Sequence, residues 1–221
     1  MGLDITVMIV DWSWLGEAPP RERLSRLREA WYADETGLWD HDAPAVTGDW
    51  EWPRGPDAAF FAVYEFLRTC GSFKPHFWAG ERWESLREHA DPMVRTGLDT
   101  FLQGLIWDGP AGAAEHTDPG FFSDEPVASV DPVESLDPDE PGVSYGLLVG
   151  RSPDSVRELA AAWEGARPLL GGLRWAFDEH AADPAIRWFR DFEAFTGLLE
   201  EWGRILTEAS RRGWGVVGLS E

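Results

Sequence analysis

The sequence predicts an α+β fold: a small sheet that includes both terminal strands, packed with about four to seven helices. Three observations lead there. Residues 3–10, Leu-Asp-Ile-Thr-Val-Met-Ile-Val, are β-rich and almost continuously apolar, the pattern of a strand covered on one face or on both. Residues 214–219 form a second such run, behind a helix that should end at Gly213. Between the two, apolar residues return at helical spacing in blocks opened by Asp-Pro or Ser-Pro, as helices commonly begin.

The elements follow in order. Residues 11–20 hold Asp11, Trp12, Trp14 and the Pro19-Pro20 pair and read as a loop. Leu24, Leu27 and Trp31 then define a helix over about 20–31. Residues 33–56 are rich in Gly, Pro and Asp and read as irregular, although they carry Trp39, Trp50 and Trp52. Asp57 reads as the cap of a helix running to about Arg68, apolar all round and therefore central. Residues 71–78 read as a second aromatic loop, followed by a helix at 80–89 with Trp83 and Leu86 inward. Asp91-Pro92 opens the next helix, which carries Val94, Leu98, Phe101 and Leu105. Residues 145–149 suggest a short strand. Ser152-Pro153-Asp154 combines an N-cap, a first-position proline and an early acid, a strong helix start. Pro168 and Gly171-Gly172 should interrupt that helix before another over 173–180. Asp183-Pro184 is expected to start the last helix, with Arg211 and Arg212 in its final turn, where cations suit the helix dipole.

A chain of 221 residues is long enough to bury a core without external staples, and it reads as one domain, 1–221. Within it, residues 108–142 stand apart, with six prolines and no lysine or arginine. Such acidic, proline-rich phrases bury too little apolar surface to order themselves, so a mobile excursion from the domain is expected. Cys70 is the only cysteine, which leaves no intramolecular disulfide and fits a reducing, cytoplasmic location. It closes an apolar run and reads as a core thiol. No stretch approaches the ~20 apolar residues of a membrane-spanning helix.

The net charge of −21 argues against nucleic acid and against an anionic membrane surface, both of which need clustered lysine or arginine. It suits a basic protein or a cationic ligand. The sequence contains no nucleophile elbow, phosphate-binding loop, dinucleotide fingerprint or paired-cysteine zinc pattern, so no catalytic residue is assigned and no cofactor or metal is expected. Weaker groupings remain. Asp40-His41-Asp42 has the donor chemistry of a divalent-metal site, but needs a distant group such as Glu115, His116 or Asp118 to complete it; turn-forming aspartates are the plainer explanation. Asp11, after an apolar strand, is a position where functional carboxylates occur.

The fullest grouping joins the two aromatic loops. Trp50, Trp52 and Arg54 in one, with Lys74, His76 and Trp78 in the other, bring large rings and charges of both signs together. Arg54, Lys74 and His76 can hold an anionic substituent while Trp50, Trp52 and Trp78 stack on its body, or the rings can stack on a sugar or enclose a cation beside Asp49 or Glu51; otherwise they pack the loops inward. Three functions follow in order: a non-catalytic binding or interaction protein, a metal-assisted hydrolase built from Asp11, Asp40, His41 and His116, and an aromatic-pocket binder of a small molecule. The partner is a basic protein or a small molecule, and the sequence says nothing of oligomeric state.

Overall fold

The computed structural model describes residues 5–32, 50–52, 60–66, 72, 74–103, 117–118, 120–122, 146–181 and 191–220. Five strands, β1 (Ile5–Val10), β2 (Trp50–Glu51), β3 (Phe61–Tyr64), β4 (Leu147–Arg151) and β5 (Gly215–Ser220), form one sheet in the order β2-β3-β1-β5-β4. Every pairing is antiparallel. The two terminal strands lie side by side at its centre, with Val7 opposite Gly218 and Ile9 opposite Val216.

Both sheet faces are covered, which explains why the strands read as continuous apolar runs rather than as alternating ones. Ile5, Val7, Ile9, Ala62, Tyr64 and Val216 point into the larger core. Their neighbours Met8, Val10, Phe61, Val63, Val217 and Leu219 point into a smaller one on the opposite face. A register shift between Leu147 and Val149 places one extra residue in β4, so that Leu148 and Val149 both face the larger core.

Seven α-helices lie among the described residues: α1 (Trp12–Gly16), α2 (Arg23–Tyr32), α3 (Lys74–Leu86), α4 (Pro92–Gln103), α5 (Pro153–Ala166), α6 (Arg174–Ala181) and α7 (Phe192–Arg212). The first two supply Leu15, Leu24, Leu27 and Trp31 to the smaller core, while α3 to α7 build the larger one. Helix α5 sits between α4 and α7. A Cβ at Gly97 would come within 2.9 Å of the Ala166 Cβ, so glycine sets how closely α4 and α5 pack. Helices α3 and α4 are latched by Asp99, which accepts two hydrogen bonds from Arg87 at 2.7 and 2.8 Å and one from the Trp83 indole at 3.0 Å.

Four expectations need correction. Residues 61–64 form a strand, not the middle of a helix over 57–68. An apolar run this short fits a strand buried on both faces as well as it fits a buried helix, and β1 on one side and β2 on the other supply the partners. Residues 74–78 are the first turns of α3 rather than loop. Residues 12–16 form the short helix α1. The last helix begins at Phe192, capped by the Asp191 carboxylate on the Glu193 amide, eight residues beyond Pro184. Its end is as expected, at Gly213 in the left-handed conformation with φ 69°. Cys70, Asp40, His41, Asp42, Glu115 and His116 lie outside the described residues, as does most of 108–142.

Candidate functional site

The candidate site forms where β2, α5 and α7 from Glu200 onward meet. Pairing with β3 sets Trp50 opposite Tyr64, and the two rings pack edge to face at 4.9 Å between centroids. Trp52 lies 6.3 Å from Trp50 and the same distance from Trp214, the residue before β5. All three rings are half-buried against the larger core. On α7, Glu200, Arg204, Glu208 and Arg212 recur every four residues and so form a stripe of alternating charge.

A cleft of about 360 Å³ opens between α5 and α7 beside Trp50. Trp163 and Glu164 of α5, with Arg167 just past its end, form one wall; Glu200, Gly203, Arg204, Thr207 and Glu208 of α7 form the other. Gly203 shapes the floor. A Cβ there would overlap Nε1 and Cε2 of the Trp163 indole, so only glycine lets that ring lie against α7. The Trp163 ring is then stacked on Phe101 at 5.0 Å, which fixes it from below.

Most of the charge around the cleft is already engaged. Glu208 accepts from Arg211 Nη2 at 2.7 Å and from Arg212 Nε at 2.6 Å. These guanidinium groups, Arg211 first, hold its carboxyl below the usual range. The Arg212 guanidinium also lies 4.2 Å from the Trp52 ring centre and 5.2 Å from that of Trp214. The ring pair and the carboxylate thus enclose a cation, and the cation is the chain's own. Glu164 and Arg167 stand 4.0 Å apart on an exposed surface, and Arg204 has an interaction of its own. Glu200 has no ion-pair or hydrogen-bond partner among the described residues.

The sequence-derived residues divide. Trp50 and Trp52 are neighbours at this site. Arg54 lies outside the described residues. Lys74 is exposed at the start of α3, and Trp78 is half-buried one turn further on. His76 is in the core at 3% exposure, joined to Trp50 through a chain of rings, Trp50–Tyr64–Phe66–His76. Its Nδ1 accepts from the Trp202 indole at 3.0 Å, so in the neutral ring the proton sits on Nε2. Burial pushes its pKa down to about 3. Sequence reasoning missed Arg212, Glu208 and Trp214. For Glu208 and Arg212 the signal is the four-residue stripe on α7; Trp214 carries none of its own.

Two carboxylates of the sequence groupings have structural duties. The Asp11 Oδ1 caps α1, accepting from the Ser13 and Trp14 amides at 2.9 and 3.3 Å. The Asp118 carboxylate accepts from the Ser152 amide at 2.7 Å and from the Ser155 hydroxyl at 2.8 Å, with Arg151 at 3.3 Å. Burial alone would raise the Asp118 pKa, but these donors outweigh it and the carboxyl sits below its ordinary range. Among the described residues, no three His, Cys, Asp or Glu groups converge as a metal site, and no helix is long and apolar enough to cross a membrane. Comparison with protein-family models, curated proteins and solved structures finds no match to this chain.

Proposed function

We propose that the protein is a non-catalytic binding protein whose ligand seats in the cleft between α5 and α7 beside Trp50. One observation carries this reading: a concavity whose volume falls in the ~300–1,000 Å³ range of small-molecule sites, with indole surface on two sides and polar groups along both helices. Support also comes from rigidity. All the lining side chains but Arg167 stand on α5, α7 and β2, elements anchored in the larger core.

The experiment is a ligand-observed NMR screen of small cations, anions and neutral amides against the protein and against Thr207→Trp. Thr207 is exposed on the α7 wall, so the larger ring fills the cleft without entering the core. Saturable binders that lose their signal with Thr207→Trp are expected. Binders that ignore the substitution, or a screen with none, overturn the assignment.

A further inference from the structure

We infer that the cleft selects an organic cation, an alkylguanidinium or alkylammonium group that pairs with Glu200 and lies against Trp50; this rests on the binding reading above and names the ligand's chemistry. Glu208 is held by two arginines, Arg204 is engaged, and Arg167 stands near Glu164. The lining charge left over among the described residues is the Glu200 carboxylate. An anionic ligand would have to draw an arginine from an existing partner and would then meet Glu200. A cation meets an unpaired carboxylate and the negative face of an indole.

The molecule contains its own precedent for this chemistry. At the neighbouring rim, Trp52, Trp214 and Glu208 hold the Arg212 guanidinium with the ring at 4.2 Å and the carboxylate at 2.6 Å. Trp50 and Glu200 bring the same two kinds of group, an indole and a carboxylate, to the lining of the cleft. The net charge of −21 adds a long-range field that concentrates cations and disfavours anions.

The test uses protein labelled with 5-fluorotryptophan, in which the Trp50 fluorine resonance is identified by its absence in Trp50→Phe. The probes are N-butylguanidinium, N-butylammonium, the neutral pentanamide and butanoate. Either cation should shift the Trp50 resonance saturably, and raising the salt concentration should weaken the shift. Glu200→Gln should raise the dissociation constant about fivefold, as expected for one exposed ion pair. An Arg-containing Gly-Ser peptide that binds more tightly than N-butylguanidinium identifies a basic protein as the source of the cation; equal or weaker binding identifies a free amine. Pentanamide or butanoate shifting Trp50 as strongly as the cations, or cation binding unchanged in Glu200→Gln, overturns the cation assignment and leaves the binding reading standing. No shift from any probe, in a protein whose Thr207→Trp variant also loses no ligand, overturns both.

Discussion

At the scale of single residues, two glycines of the same helix pair have opposite meanings. Gly203 on α7 faces the Trp163 indole, and any Cβ would overlap it. Gly165 on α5 is exposed, and a Cβ there would meet nothing within 4 Å. Gly203→Ala should therefore destabilise the protein by about 1–3 kcal/mol through overpacking. Gly165→Ala should stabilise it by about 0.5–1 kcal/mol through helix propensity. Urea midpoints of the two variants check both signs. His76 gives a pH dependence whose direction follows from its burial. Its folded pKa, about 3, lies below the ordinary 6.5, so the native state prefers the neutral ring. That contribution is complete above pH 6.5 and is lost as the pH falls toward 3. Protonation would also turn the Nδ1 acceptor into a donor facing the Trp202 N–H. Linkage gives a loss of roughly 2 kcal/mol between pH 7 and 5, a window in which ordinary carboxylates stay ionised. His76→Gln retains an acceptor for Trp202 and cannot titrate, so its stability should be flat across that window. An equal slope in wild type and variant would assign the effect elsewhere.

At the scale of elements, Asp118 shows how a site-like sequence grouping can be structural. It holds the first turn of α5 through Ser152 and Ser155 and fixes Arg151 at the end of β4. Asp118→Ala leaves the Ser152 amide without its acceptor, and a cost of about 1–3 kcal/mol follows for that partly buried donor and its neighbours. Chemical denaturation measures it; a change under 0.5 kcal/mol would show the cap to be redundant. How legible the elements were depended on whether their signals were local. The start of α5 and the end of α7 were readable because capping is written in adjacent residues, Ser152-Pro153-Asp154 and Arg211-Arg212-Gly213. The terminal strands were readable from composition. Strand β3 was not, because its four apolar residues are assigned by pairing, above all with β1, which lies far away in the chain. The same holds for the site. Trp50 and Trp52 stood out as rings in a polar stretch, whereas Arg212 and Trp214 reach them only once β5 has brought the end of α7 beside β2. Glu200 looks like any exposed helix glutamate until the cleft gives it a position.

At the scale of the whole molecule, the layers on the two sheet faces come from different parts of the chain, and residues 117–118 and 120–122 help to join them. Thr117 bridges to Gly150 on the outer edge of β4, and the Asp118 amide donates to the Gly150 carbonyl at 2.8 Å. Phe121 stacks on Trp12 at 3.9 Å, and Phe122 is buried in the smaller core. Arg23 lies 4.0 Å over the Phe121 ring and donates to the Phe121 carbonyl, as well as to those of Ala18 and Gly16. One short segment therefore ties the start of α5 and the sheet edge to α1 and α2. This divides the acidic, proline-rich stretch 108–142 into parts of different consequence. Replacing 128–139, which lie outside the described residues, with a short Gly-Ser linker should lower the melting temperature by only a few degrees, because closure entropy changes slowly with loop length. Phe122→Ala removes a core ring four residues beyond Asp118 and should cost about 3–5 kcal/mol. Thermal unfolding of both variants at one protein concentration makes the comparison. Cooperative unfolding near the wild-type temperature is expected for the linker variant and a large drop for Phe122→Ala. A linker variant that loses its cooperative transition would place 128–139 in the folded core and remove the distinction drawn from its composition.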